Sequence, residues 1–71
     1  MTANDLIRVR RMAKTGTARH IREEAGLSLA EIADAAGLHK TTVFRYEHGL
    51  RRPRGEAAAR YLRVLEELAQ R

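Results

Sequence analysis

The chain has 71 residues, with 14 lysines and arginines against 9 aspartates and glutamates, a net charge of +5 and no cysteine. This length is close to the lower size at which one hydrophobic core supports a fold, and the lack of cysteine excludes disulfides, a thiol catalyst and a cysteine-ligated metal. The basic balance suits a polyanionic partner, although many solvated protein surfaces carry a similar charge.

The first predicted element is an amphipathic helix that Asn4 can cap and that breaks near residues 15–17. Its apolar residues are Leu6, Ile7, Val9 and Met12. Its basic residues are Arg8, Arg10, Arg11 and Lys14. We interpret the basic side either as an arm that binds phosphates without reading sequence or as an ordinary solvated helix face, and we assign Arg8 and Arg11 to the phosphate contact.

The second predicted helix begins at Thr17, whose hydroxyl can cap it, and stops at Gly26. Ala18, Ile21, Arg22 and Ala25 lie within it. The acidic pair Glu23 and Glu24 is expected to face away from a nucleic acid. Glu31 and Asp34 extend this acidic surface onto the next helix. This pattern predicts that positive and negative charge occupy different parts of the surface.

The third helix is predicted to begin near Leu29 and to end at Gly37. Ser28 can accept a hydrogen bond from the first turn while Glu31 accepts one from the amide of Ser28, which makes a capping box. The apolar residues that recur at helical spacing on one face are Ile32, Ala33 and Ala36. Glycine suits position 37 because it adopts positive φ after a last helical turn at no steric cost.

The fourth helix follows the corner residue Leu38 and ends at Gly49. Val43 and Tyr46 continue the buried side. The residues left mostly on outward sides are Lys40, Thr41, Thr42, Phe44, Arg45 and His48. Residues 29–49 therefore have the layout of two short helices joined by a glycine-centred turn.

This layout resembles the helix-turn-helix of lambda-repressor and Cro-like regulators, also called XRE-type regulators. The matching residues are Ile21, Arg22, Gly26, Leu27, Ser28, Ile32, Ala33, Gly37, Leu38, Thr42, Val43, Arg45, Glu47, Gly49 and Pro53. The resemblance implies an all-α, compact bundle of about five helices. It also implies a sequence-specific regulator of transcription that binds double-stranded DNA, of the phage-type repressor or Cro-like kind, with its recognition helix in the major groove.

On this resemblance the fourth helix is the recognition helix, and four of its side chains are assigned to base reading. Arg45 is the first choice, because a guanidinium can fork onto O6 and N7 of guanine. Thr41 and Lys40 are placed at a base edge or at the backbone. Phe44 is expected to pack on a thymine methyl, with partial burial in the core as the alternative.

Phosphate contacts are assigned to residues on both sides of this helix and at its ends. They are His39, Thr42, His48, Arg51, Arg52 and Arg54, together with the two N-terminal arginines. Thr42 has helix stabilisation as an alternative role, and His48 has interaction with the helix dipole. Tyr46 is expected in the core, and Glu47 is expected to pair with a nearby arginine.

Three residues depart from the pattern of the family. Leu29 stands where glutamine is usual, which removes a contact to the DNA backbone. His39 stands where serine or threonine usually precedes the recognition helix, and histidine is a poorer N-cap. Phe44 replaces a small polar residue. These positions are where this chain is expected to differ from its relatives in what it reads.

The final helix is predicted from about Glu56 to Gln70, after a short basic link. It carries two apolar stripes. The first consists of Ala58, Leu62, Leu65 and Ala69. The second consists of Ala57, Tyr61, Val64 and Leu68. One stripe can close the core, and the second predicts a homodimer through Tyr61, Val64 and Leu68; burial of both stripes inside the monomer is the alternative.

The whole chain is predicted to be one DNA-binding domain, with a basic N-terminal helix (1–16), a core containing the helix-turn-helix (17–53) and a C-terminal helix (54–71). No catalytic residues, cofactor, metal or small-molecule ligand are expected, nor a membrane segment, so the protein is expected in the cytoplasm. The alternative functions are an antitoxin-type autoregulator with a protein partner and a DNA-bending excision or architectural factor.

Overall fold

The computed structural model describes residues 1–70, which form five α-helices and no strand. The helices are α1 (Ala3–Thr15), α2 (Thr17–Glu24), α3 (Leu29–Ala36), α4 (Lys40–Glu47) and α5 (Gly55–Ala69). The predicted all-α bundle of about five helices is confirmed. The last residue of the predicted C-terminal segment, Arg71, lies outside the described residues. Within residues 1–70, no helix has the length and apolar character needed to cross a membrane.

The start of α1 differs from the sequence prediction. Thr2, not Asn4, is the N-cap: its hydroxyl accepts a hydrogen bond from the Asp5 amide at 3.1 Å, and the Asp5 carboxylate accepts one from the Thr2 amide at 3.1 Å. This capping box satisfies two donors at once. Asn4 lies inside the first turn, so the prediction that it caps the helix is wrong.

The start of α2 also differs. A side-chain cap requires an extended residue before the helix, but Gly16 alone separates α1 from α2 and lies in the left-handed region, with φ 89°. Thr17 is already helical, and its hydroxyl lies 2.9 Å from the hydroxyl of Thr15. The predicted Thr17 cap is therefore wrong, because a junction of one residue leaves no place for it.

The capping box and turn of the helix-turn-helix are confirmed. The Ser28 hydroxyl accepts from the Glu31 amide at 3.0 Å, and the Glu31 carboxylate accepts from the Ser28 amide at 2.8 Å. Gly37 has φ 66°, a left-handed conformation in which any other residue is strained. The amide of Leu38 then donates to the Ala33 carbonyl at 2.8 Å, which closes the end of α3.

All five helices contribute to one hydrophobic core. Its buried members are Val9, Ala13, Ala18, Ile32, Ala33, Val43, Tyr46, Ala58, Tyr61, Leu62 and Leu65. The predicted burial of Val43 and Tyr46 is confirmed, and the rings of Tyr46 and Tyr61 lie 5.1 Å apart between centroids. Contact between these rings packs α4 against α5.

The position of Tyr61 corrects the predicted dimer interface. Its side chain is 0% exposed within a single chain, so it has no surface to offer to a second copy. Val64 and Leu68 are partly buried against the same core and retain some exposed surface. An apolar stripe on α5 is therefore mostly core, and only these last two residues remain in the dimer prediction.

Candidate nucleic-acid interface

The outer face of α4 gathers all four residues assigned to base reading. Lys40, Thr41, Phe44 and Arg45 are exposed, while Val43 and Tyr46 point into the core. Thr42, which lies between the two faces, is only partly exposed. The helix has 8 residues, and an α-helix with its side chains is about 10 to 12 Å in diameter, comparable to the width of about 12 Å of a B-DNA major groove.

His39 caps the N-terminal end of α4. Its Nδ1 accepts a hydrogen bond from the Thr41 amide at 3.2 Å, so the poor cap expected from the residue type does satisfy one of the free amides of the first turn. Because Nδ1 is the acceptor, the ring proton lies on Nε2. His39 is exposed, so the Nε2 proton can be donated to an anion while the ring stays neutral.

Phe44 and His48 form an aromatic pair on the outer face of α4. Their ring centroids are 4.0 Å apart and their planes differ by 22°. Phe44 is 40% exposed, which agrees with the surface position and not with the core alternative. Nδ1 of His48 lies 2.9 Å from the Phe44 carbonyl oxygen and so donates to it. With Nδ1 used in this bond, Nε2 is the ring nitrogen left for a further polar contact.

The C-terminal end of α4 is held by an ion pair with α2. The Arg22 guanidinium donates from Nε and Nη2 to the two Glu47 oxygens at 2.7 and 3.0 Å. Its Nη1 donates to the Leu27 carbonyl at 2.9 Å. Hydrogen bonding to Glu47 raises the pKa of Arg22 above its ordinary value. The prediction that Glu47 pairs with an arginine is confirmed.

Arg60 holds the turn between α3 and α4, a role that the sequence did not reveal. Its Nε donates to the Ala36 carbonyl at 3.1 Å and its Nη2 to the Gly37 carbonyl at 3.4 Å. These carbonyls lie at the end of α3, where no helical partner remains for them. Arg60 and Ala36 are 24 positions apart, which explains why no local sequence signal could have predicted this contact.

The basic side of α1 splits into two directions. Arg8 forms an ion pair with Glu66 on α5 and lies 3.9 Å from Asp5. Arg10, about 200° around the helix from Arg8, instead donates from Nε to the Pro53 carbonyl at 2.8 Å. Arg11 is exposed. The structure therefore brings Arg10, and not the predicted Arg8, to the loop that follows α4.

Ion pairing leaves most of the free positive charge around α4. The arginines paired with carboxylates are Arg8, Arg19, Arg22 and Arg60. Cations without a carboxylate partner among residues 1–70 are Arg10, Arg11, Lys14, Lys40, Arg45, Arg51, Arg52, Arg54 and Arg63. All of these except Arg63 lie on α1, on α4 or in the loop after α4. The exposed acidic residues lie on α2 and α3 (Glu23, Glu24, Glu31 and Asp34) and on α5 (Glu56 and Glu67).

Comparisons with known proteins identify a helix-turn-helix in this part of the chain. The helix-turn-helix family model matches residues 19–69, which leaves α1 outside the match. A protein of Methanothermobacter thermautotrophicus, provisionally named an HTH-type transcriptional regulatory protein, is 42% identical over 52 residues, or 73% of this chain. The chain spans about 15% of the length of that relative. No solved structure matches the chain significantly. Since the family model covers most of its residues, the chain belongs to the XRE-type helix-turn-helix family.

Proposed function

We propose that the chain is a sequence-specific regulator of transcription, of the phage-type repressor or Cro-like kind, that binds double-stranded DNA with α4 in the major groove. The observation that carries this proposal is the outer face of α4, where Lys40, Thr41, Phe44 and Arg45 are exposed together. Membership of a helix-turn-helix family and the name of the relative support it.

Arg45 is the residue we propose for base recognition. It is exposed and has no carboxylate partner among the described residues, so its guanidinium is free to fork onto O6 and N7 of a guanine. Such a contact discriminates against a wrong base by about 1 to 3 kcal/mol. The Phe44 ring, held by His48, offers an apolar surface for a thymine methyl.

Phosphate contacts are proposed at both ends of α4. At the N-terminal end, His39 can donate from Nε2 and the free amides of the first turn favour an anion. At the other end, Arg51, Arg52 and Arg54 are exposed in the loop that follows the helix. These contacts would fix the orientation of α4 without reading the sequence.

Selection of bound sequences from random DNA tests the proposal directly. A motif should emerge, and Arg45→Ala should lose preference for it while keeping weak, salt-sensitive binding to any duplex. Arg63→Ala is the matched control, because it removes an exposed and unpaired arginine from α5 instead of α4. If Arg45→Ala weakened selected and unrelated duplexes equally, the base-reading role would be wrong.

The phosphate role of the loop has a separate readout. Replacing Arg51 and Arg52 with alanine should weaken binding to every sequence and reduce the salt dependence of the affinity by about two phosphates. The same salt titration of Arg63→Ala should show the slope of the original protein. An unchanged slope in the loop variant would exclude both arginines from the interface.

A homodimer through the remaining surface of Val64 and Leu68 is proposed as the form that binds DNA. Two copies would then read half-sites about 34 Å apart, one helical turn, in an inverted repeat. Size-exclusion chromatography with light scattering measures the mass in solution. A monomer at tens of micromolar, together with a selected motif that lacks inverted symmetry, would contradict this part of the proposal.

A further inference from the structure

Two depressions on the surface lie between α1 and the loop after α4, and Arg10, Arg51 and Arg52 line both. Lys14 lines one of them and Arg54 the other, and we call the region with these five cations the basic pocket. Tyr46 and Gly49, at and just after the C-terminal end of α4, line the depression that contains Lys14. The basic pocket is therefore formed partly by the recognition helix and its loop, and partly by a helix that lies outside the residues matched by the family.

The loop side of the basic pocket is held in place by its own hydrogen bonds. The amides of Leu50 and Arg51 donate to the Arg45 carbonyl at 2.9 and 3.3 Å, which folds the chain back over the end of α4. Pro53 is fully buried, and its carbonyl accepts from Arg10 at 2.8 Å. The loop that carries three of the five cations is thus anchored at both ends.

The α1 side is equally fixed. Val9 and Ala13 from this helix are buried in the core, so α1 is an integral part of the fold and not a loose arm. Arg10 uses Nε for the bond to Pro53, which leaves its Nη1 and Nη2 donors available. Lys14, one turn further along α1, is exposed beside it.

The positive charges of the basic pocket are not balanced by nearby carboxylates. None of its five cations has a carboxylate within 4.0 Å among the described residues, although the chain pairs Arg8 and Arg22 elsewhere. Like charges held close together in the basic pocket repel each other, and an anion between them relieves the repulsion. Guanidinium groups form short, charge-assisted hydrogen bonds with phosphate oxygens, which makes a phosphate diester the anion that best fits this donor set.

We propose that the basic pocket binds a phosphate of the DNA backbone just beyond the groove that α4 occupies, so that α1 forms part of the DNA interface through Arg10 and Lys14. This inference rests on the proposed DNA-binding function. The phosphate lies past the C-terminal end of α4, whereas His39 lies at the N-terminal end. The recognition helix is thereby held on the backbone from both ends.

The test compares two double variants in the full chain. Arg10→Gln with Lys14→Gln should weaken binding to the selected duplex and to a scrambled duplex by the same factor, and reduce the slope of log affinity against log salt by about 1.8. The control is Arg63→Gln, which removes one exposed and unpaired positive charge on α5 that does not line the basic pocket. Its salt slope should equal that of the original protein.

Because Arg10 also anchors the loop, a variant that leaves its hydrogen bond intact is needed. Lys14→Gln alone changes an exposed side chain and should keep the fold, as circular dichroism would verify. It should reduce the salt slope by about 0.9. An unchanged slope for folded Lys14→Gln and for the double variant would overturn the inference.

A phosphate-level readout separates this site from the other contacts. Selected duplexes with one neutral methylphosphonate at a time should show weaker binding where a phosphate at the edge of the half-site is replaced, and the double variant should be insensitive to that position alone. Equal sensitivity of the double variant and the original protein at every position would contradict the inference. If selected DNA is bound with an Arg45-dependent preference, such a result overturns only the role of α1; if no duplex is bound, the proposed function itself fails.

Discussion

The Arg22–Glu47 pair gives the sharpest test of how α4 is held against α2. It is the most buried ion pair among the described residues, with side chains 12% and 1% exposed, and it is bidentate. Arg22→Ala would leave the Glu47 carboxylate inside the protein with no arginine to donate to it. Removing one partner of a buried pair costs about 3 to 5 kcal/mol, because the remaining charge stays uncompensated.

That cost is large for a chain of this size. At about 0.05 to 0.15 kcal/mol per residue, a folded chain of 71 residues has a total stability of about 4 to 11 kcal/mol. Arg22→Ala should therefore lose a large share of this stability, and if the total lies at the low end of the range the variant should be partly unfolded at room temperature. Glu47→Gln should lose less, since Arg22 keeps its bond to Leu27 and part of its guanidinium already reaches water.

Urea unfolding followed by circular dichroism at pH 7 measures these losses. Arg22→Met combined with Glu47→Leu should recover much of the stability, because an apolar pair of similar volume leaves no unpaired charge. The control is Arg19→Ala, which breaks an exposed pair with Glu23 and should cost less than about 1 kcal/mol. If Arg22→Ala lost no more than this control, the reasoning from burial would be refuted.

Three further predictions concern stability. Tyr61→Phe should stabilise the fold by about 1 kcal/mol or more, because the Tyr61 hydroxyl is buried without a hydrogen-bond partner among the described residues. The control variant Tyr46→Phe should change the stability little. If Tyr61→Phe were less stable in urea than the original protein, the hydroxyl would have a partner after all. Gly37→Ala should cost about 1 to 2 kcal/mol of stability, because alanine is strained at the positive φ of this position. Steric clash should add nothing, since the added Cβ would meet no atom closer than 3.6 Å. A variant with unchanged stability in thermal unfolding would contradict this prediction. Backbone hydrogen bonds in the two capping boxes lower the pKa of the Asp5 and Glu31 carboxyl groups. The ionised carboxylates therefore stabilise the fold at pH values above the ordinary pKa values of 3.8 and 4.5, and this stabilisation is lost as the pH falls through the lowered pKa values. The urea midpoint should therefore fall more steeply in acid for the original protein than for a variant with alanine at both positions; parallel curves would rule this out.

Local signals in the sequence predicted the helix-turn-helix well. The capping box at Ser28 and Glu31 and the positive φ of Gly37 depend on residues at most three positions apart, so the sequence carries them in full. The same local reasoning misplaced the first cap, because both Thr2 and Asn4 are good capping residues. The reciprocal bond with Asp5 decides between them.

Local sequence signals do not predict the contacts that long side chains make with distant parts of the chain. Arg10 reaches a carbonyl 43 residues away, and Arg60 reaches one 24 residues away. Helical periodicity places both residues near a surface, but only the packing of the helices decides which backbone lies within reach. The same limit applies to apolar residues such as Tyr61. An apolar stripe on α5 has the same sequence pattern whether it packs against the core of its own chain or against a second chain.

The loop between α4 and α5 is tied down in a way that restricts how its length can vary. Surface loops usually tolerate inserted residues, because no contact of the loop itself fixes the distance between its ends. Here Pro53 is bound by Arg10, and Arg60, early in α5, must reach the end of α3. Only Arg54 separates Pro53 from α5, and a residue added there as part of the helix would turn α5 by about 100° relative to the loop and carry Arg60 away from its carbonyls. Natural variation in this loop should therefore exchange side chains while keeping their number constant.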